Sequence, residues 1–240
     1  MSQGWLRPLT TPARPRLRVV LFAHAGGSPS TYGWLATAVP GDVEVFGVAL
    51  PGRGRRSTEP PGIDMGELAD QVATAVEEHA DQTWVFFGHS MGALLAFETA
   101  RRLGTVGHLV VLGLPAPHLL TTGQAHVLSD VDLASELARS GGLPEEVLSE
   151  PELLDLVLPG IRADLTAIET YRYQESEPLG WSITAILGEQ DNTTSIEEIN
   201  AWRRHTTSTF TRRVVPGRHF PEPGVWAKIL QSVWQPVKST

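Results

Sequence analysis

The stretch Val85-Phe86-Phe87-Gly88-His89-Ser90-Met91-Gly92-Ala93-Leu94-Leu95-Ala96-Phe97-Glu98 constrains the fold more than any other part of the chain. Apolar, β-prone residues run into Gly88-His89-Ser90-Met91-Gly92, and helix formers follow at once. This is the pattern of a serine carried on a sharp strand-to-helix turn. Glycines two residues either side of Ser90 fit a backbone bent so sharply that its neighbours must be nearly free of side chains. Such a turn holds the Ser90 hydroxyl clear of the sheet and leaves the Met91 N–H at a helix N-terminus, where developing negative charge is favoured. Ser90 is therefore the candidate nucleophile and the Met91 amide a candidate oxyanion donor.

Strand and helix patterns alternate around this turn. Leu17 to Ala23 reads as a buried strand ending in His24-Ala25-Gly26-Gly27-Ser28. No G-x-x-x-x-G-K-[ST] phosphate loop is present, so this first loop is the expected source of a second oxyanion donor, Ala25 first and Gly26 second. Val43 to Leu50 is the next strand, closed by Pro51-Gly52-Arg53-Gly54-Arg55-Arg56. Those arginines are either a solvated surface or an anion contact. An amphipathic helix follows from Asp64 to His79, then a turn at Asp81-Gln82 and the strand Thr83 to Gly88. The helix after Ser90 points Leu94, Phe97, Ala100 and Leu103 inward. Leu109 to Leu114 is a further strand.

From there to about Pro178 strands vanish and helical patterns replace them: Val131 to Ser140, Glu145 to Leu148, Pro151 to Leu158 and Gly160 to Tyr173. An all-helical insertion in such an alternation predicts a cap over the sheet's C-terminal edge. Part of its apolar surface (Leu153, Leu154, Leu156, Val157, Leu158, Ile161) is expected to line an acyl-sized cavity. The alternation resumes with a strand from Ser182 to Leu187, a helix from Ile196 to His205, a strand from Phe210 to Val215 and a last helix from about Glu222 to Trp234. The predicted fold is α/β, a mainly parallel sheet flanked by helices. It forms a single domain over 1–240, with a core of 1–115 and 179–240 and a helical insertion over about 116–178.

Two bulk properties narrow the partners. A net charge of −8 gives no footing for nucleic acid, and no apolar run approaches the length of a membrane span. With no cysteine there is no thiol nucleophile or thiolate metal site, and no metal is expected. The N-terminal residues lack a signal-peptide pattern, so the expectation is a cytoplasmic protein, monomeric by default.

A serine hydroxyl needs a base, and the base needs an orienting carboxylate. Of eight histidines, His219 alone follows the last strand in a turn of its own, at the edge where Ser90 emerges. The loop after Leu109–Leu114 carries no carboxylate. The loop after Leu187 offers Asp191, with Glu189 as the alternative; Asp191 lies further into the loop. The order Ser90, Asp191, His219 is that of α/β-hydrolases.

With these residues in view the chain resembles the type II thioesterases, freestanding α/β-hydrolases that accompany polyketide synthases and nonribosomal peptide synthetases. The resemblance spans nearly the whole chain. It is carried by Leu21–Ser28, Leu50–Arg55, Phe87–Glu98, Leu114–Pro117, Ile161–Leu165 and the loops of Asp191 and His219. It implies hydrolysis of acyl groups from the phosphopantetheine arm of acyl or peptidyl carrier proteins, with no cofactor of the enzyme's own. It also implies that Ser90 is the nucleophile, His219 the base, Asp191 the orienting acid, and Ala25 and Met91 the oxyanion donors. Two departures stand out: Asn192-Thr193-Thr194 where the family often has proline, and Arg218 where it commonly has glycine. Because carrier proteins are acidic, Arg53, Arg55, Arg56 and Arg218 are the expected carrier contacts, with Arg203, Arg204, Arg212 and Arg213 behind them. The rival readings are a small-molecule esterase or lipase, an acyltransferase, and a non-hydrolytic biosynthetic accessory protein on the same fold.

Overall fold

The computed structural model describes residues 4–37, 39–79, 83–105 and 107–234; the expected turn at Asp81-Gln82 lies outside them. Seven strands form one sheet in the order β1-β3-β2-β4-β5-β6-β7. They are β1 (Leu6–Pro8), β2 (Leu17–Phe22), β3 (Val43–Val48), β4 (Trp84–His89), β5 (Gly107–Leu112), β6 (Ser182–Gly188) and β7 (Phe210–Val215). All neighbours are parallel except β1, which pairs antiparallel with β3, Leu6 facing Val48. This edge strand lies in the proline-rich stretch left without a strand above. Its pattern is too short to show a period, and Pro8 is tolerated because an edge strand can leave one side unbonded.

The central strands are buried on both faces, as continuous apolar runs require. Val20, Phe22, Phe86 and Val111 face one core. Helices α1 (Met65–Glu77) and α2 (Met91–Arg102) pack there, α1 starting where the Asp64 carboxylate accepts the Glu67 N–H at 2.9 Å. Alternate residues Val19, Leu21, Val85 and Phe87 face a second core on the other side, closed by Tyr32 and by Ile229 of α7 (Pro223–Trp234). Leu94, Phe97, Ala100 and Leu103 are all buried as expected.

Between β5 and β6 the chain is helical, with α3 (Asp130–Ser140), α4 (Glu145–Leu148) and α5 (Pro151–Glu169). Here the structure corrects the break expected at Pro159, because one helix runs through that proline. The exposed Pro159 lies between Leu158, only 4% exposed, and buried Gly160 and Ile161, so packing on both sides holds the helix together where one backbone N–H is missing. After β6 comes α6 (Ile196–Asn200), capped by a reciprocal Ser195–Glu198 box and continued by a 3-10 turn to His205.

Candidate active site

Six strand ends meet at one edge because β2, β3, β4, β5, β6 and β7 run parallel; each delivers its following loop there. The loop from β4 is the serine turn. Ser90 has φ 53° and ψ −125°, and it is the only described non-glycine residue with positive φ. Such backbone strain in a non-glycine residue costs on the order of 1–3 kcal/mol and persists only where the surroundings enforce it. Its N–H donates to the Leu112 carbonyl at 2.8 Å, fastening the turn to the end of β5.

The flanking glycines serve the sharp bend as expected, by carrying no side chain. Neither has positive φ; each is needed because another backbone lies against it. A Cβ on Gly92 would collide with the Phe22 and Ala23 carbonyls, and one on Gly88 with the Ala93 backbone. Helix α2 thus starts hard against the end of β2, with the serine carrying the strain. The Ser90 hydroxyl has no hydrogen-bond partner among the described residues.

The loops after β6 and β7 are stitched together. Glu189 N–H donates to Val215 O at 2.8 Å and Gln190 N–H to Gly217 O at 2.9 Å. That brings His219 Nδ1 within 2.9 Å of Asp191 Oδ2, the carboxylate being 1% exposed. Glu189, the alternative acid, is exposed and its carboxylate makes no hydrogen bond to His219 among the described residues. Thr193, from the stretch that departs from the family pattern, supports Asp191. Its N–H and hydroxyl donate to Asp191 Oδ1 at 2.9 and 2.6 Å, and its oxygen lies 3.0 Å from His219 Nδ1. Burial acts to raise the Asp191 pKa, but the hydrogen bonds from His219 and Thr193 prevail and hold it below the ordinary carboxylate value. An ionised acceptor at Oδ2 places the proton on Nδ1 and leaves Nε2 as the basic nitrogen. Gly113 makes room for the pair: at φ +64°, a Cβ there would sit 3.1 Å from His219 Nδ1 and 3.3 Å from Asp191 Oδ2.

His89 braces the same loop. Its Nε2 donates to the His219 carbonyl at 2.8 Å, and burial, then the nearby His24 and His219, push its pKa well below 6.5. Edge contacts with Phe220 and Trp226, centroids 5.2 and 5.4 Å away, fix its ring. His24 is likewise kept neutral, its pKa lowered to about 4 by burial, then by His219 and Arg53. Sequence reasoning set His89 aside as part of the turn, and nothing local marked its contact with His219, 130 positions away.

Of the two amides weighed in the first loop, Gly26 N–H is taken, donating to Asp164 Oδ2 at 2.7 Å. The Ala25 and Met91 N–H groups donate to no acceptor among the described residues.

The arginines divide. Arg53 is not the surface cation that was expected: it is turned inward, Nη1 and Nη2 meeting Asp164 at 2.6 and 2.5 Å. Arg56 is also committed, bonding Glu59 and the Ala49 carbonyl and lying 4.1 Å over the Trp5 ring. Arg55 and Arg218 are exposed and carry no partner among the described residues.

Arg218, His219 and Phe220 line an open cavity of about 790 Å³, together with Glu136, Arg139 and Asn192. The insertion's leucines do not line it, contrary to expectation. Leu158 and Ile161 are packed inside, whereas Leu153 and Leu156 face solvent. A second cavity, about 880 Å³, lies at the far ends of β5 and β6 beside Arg101, Thr105 and Trp181, remote from Ser90. No cluster of potential metal ligands occurs among the described residues, and no described helix is long and apolar enough to cross a membrane.

A parallel sheet with a strained serine at the central strand–helix turn and an Asp–His pair on the last two loops defines an α/β-hydrolase. Residues 17–222 match the family model "Thioesterase domain". The chain is 36% identical to "Thioesterase PikA5" of Streptomyces venezuelae, over 95% of this chain and 84% of that protein. Among solved structures it superposes on the type II thioesterase BorB from the borrelidin cluster with TM-score 0.89 and 38% identity, covering 97% of each chain. RedJ, the thioesterase of the prodiginine pathway of Streptomyces coelicolor, gives 0.86 and 38%, with 95% and 94% covered. The chain belongs to the thioesterase family; it is an enzyme that hydrolyses thioesters.

Proposed function

We propose that this thioesterase is of type II and removes acyl or peptidyl groups from the phosphopantetheine arm of carrier proteins in a polyketide or nonribosomal peptide pathway. The observation that carries the mechanism is the convergence at one sheet edge of the strained Ser90, the Asp191–His219 pair and two unpartnered amides, Ala25 and Met91. Ser90 Oγ attacks the thioester carbonyl as His219 Nε2 takes its proton, and the Ala25 and Met91 amides hold the oxyanion. The C–S bond breaks, and the thiol leaves with the proton from His219. Water, deprotonated by His219, then adds to the acyl-serine ester, and collapse releases a carboxylic acid and restores Ser90.

The enzyme uses no cofactor of its own, because the arm belongs to the partner. We assign it to the cytoplasm as a monomer, one domain in which residues 116–178 form a lid. Of Arg53, Arg55, Arg56 and Arg218, it is Arg55 and Arg218 that have no partner among the described residues and are free to meet an acidic carrier, Arg218 lining the cavity beside His219. Matched acyl groups offered as a carrier-bound thioester and as a small oxygen ester test the reading. The expected result is kcat/KM at least about tenfold higher on the carrier thioester, with charge reversal at Arg55 and Arg218 raising KM for it alone. Equal rates on both would make the protein a general esterase instead.

A further inference from the structure

The proposed oxyanion loop is held by an ion pair that reaches it from two other parts of the chain. Asp164 sits in the second half of α5 with its side chain 1% exposed. One oxygen, Oδ2, accepts both the Gly26 N–H at 2.7 Å and Arg53 Nη1 at 2.6 Å; the other accepts Arg53 Nη2 at 2.5 Å. Arg53 Nη1 also donates to the Gly27 carbonyl at 3.1 Å, and Nη2 to the Gly160 carbonyl at 3.4 Å. The loop is therefore gripped at two peptides, Ala25–Gly26 by its N–H and Gly27–Ser28 by its carbonyl. The turn closes through Gly27 N–H to His24 O at 2.9 Å. Gly26 is at φ +82°, and Ile161 of the same helix face would lie 2.7 Å from any Cβ there, so the loop backbone is pressed onto α5.

A buried ion pair is weak evidence for stability, since desolvating both charges offsets much of their attraction. Its geometry here serves orientation. The Asp164 carboxylate claims the Gly26 N–H and so fixes the peptide plane between Ala25 and Gly26. The Ala25 N–H belongs to the preceding peptide, whose His24 carbonyl accepts the Gly27 N–H at 2.9 Å. This donor meets no acceptor among the described residues, and its direction is set through the same Gly26–Gly27 backbone before any substrate arrives. Donors oriented in advance toward a developing oxyanion are worth much more than donors that must reorganise. We propose that Asp164 and Arg53 are positioning residues for the Ala25 oxyanion donor, acting through the Gly26–Gly27 backbone. Through them the part of the insertion after Pro159 is joined to the chemistry. This inference rests on Ser90 being the nucleophile and Ala25 an oxyanion donor.

The test uses the full chain with Asp164→Ala, Asp164→Asn and Arg53→Lys. Rates on an acyl thioester are normalised to sites titrated by a fluorophosphonate. Two affinities accompany them: for a trifluoromethyl ketone that forms a tetrahedral adduct, and for an unreactive thioether of the same acyl chain. For Asp164→Ala the expected loss is on the order of 10- to 100-fold in kcat per titrated site, a displaced donor costing less than the 10²–10³ of a deleted one. KM and thioether affinity stay within about threefold, while ketone affinity falls in step with kcat. Asp164→Asn keeps an oxygen for Gly26 and should fall between. Where Asp164→Ala yields no folded protein, the Asn and Lys variants are read by the same criterion.

A per-site kcat within about twofold of wild type in the folded variants would overturn the proposal, even if their stability or folded fraction dropped. Ser90→Ala is the parallel control. Undiminished hydrolysis in it removes the nucleophile assignment itself, whereas an inactive Ser90→Ala beside unimpaired Asp164 variants removes only the positioning role.

Discussion

Between Ala125 and Val157 the chain leaves Val127, Val131 and Leu156 largely open to solvent, Leu156 72% exposed. At the sheet edge around Ser90, by contrast, His89, Asp164 and Asp191 are buried and hydrogen-bonded. Helix α5 passes from one regime to the other, mostly outward-facing through Leu156 and locked onto the body from Leu158 onward. Segments with few buried contacts open at low free energy, and densely packed ones open only with the whole fold. The chemistry is thus assigned to the rigid edge, and the part of the insertion before Leu158 is expected to open at lower free energy.

The largest effect belongs to the rigid edge. Ser90→Ala should lower kcat on an acyl-carrier thioester by roughly 10⁴-fold or more, as deletions from a triad do, with an unchanged melting temperature. A smaller loss would mean that the edge does not perform the chemistry. Next comes a pair of substitutions within α5. Leu158→Ala should cost about 2–5 kcal/mol in urea denaturation, whereas Leu156→Ala should stay within about 0.5 kcal/mol. Equal costs would abolish the contrast between the two halves of the helix.

Glycine-to-alanine changes sharpen it further. Gly92→Ala forces a methyl into the Phe22 and Ala23 carbonyls and should destabilise by about 2–3 kcal/mol. In the insertion, Gly142→Ala meets only the Ser140 hydroxyl and a Leu137 methyl at 3.3 and 3.4 Å and should be near neutral. The last expected effect is on pH dependence. His24, His108 and His205 are each lowered to about 4, burial being the main cause. They titrate near 6.5 in the unfolded chain, so between about 6.5 and 4 the unfolded state binds more protons. Stability is then fully present above about 6.5 and declines as pH falls through that window. Urea midpoints at pH 7 and 5 check the sign, and a higher midpoint at pH 5 would refute it.

The strands around Ser90, Asp191 and His219 were legible because buried parallel strands are apolar runs and their loops start where the run stops. What escaped was set by distant partners. Arg53 read as one of three surface arginines because Asp164 lies 111 positions away. Asn192-Thr193-Thr194 read as a departure from pattern, yet the Thr193 hydroxyl supplies the second oxygen of Asp191 with a donor. Pro159 read as a helix end, because local propensity carries no knowledge of the packing on either side. The glycines beside Ser90 were legible as places where a side chain would not fit, but which backbone crowds each one, that of β2 or of α2, can be seen only in three dimensions.

The most direct measurement is active-site labelling followed in parallel with turnover. The protein is treated with a fluorophosphonate, the modified peptide is located by mass spectrometry, and residual hydrolysis of an acyl-carrier thioester is recorded at each extent of labelling. The expected result is a single adduct on Ser90, with activity falling in proportion and reaching zero at one label per chain. Full modification of Ser90 with hydrolysis intact, or complete inactivation with the adduct elsewhere, would contradict it.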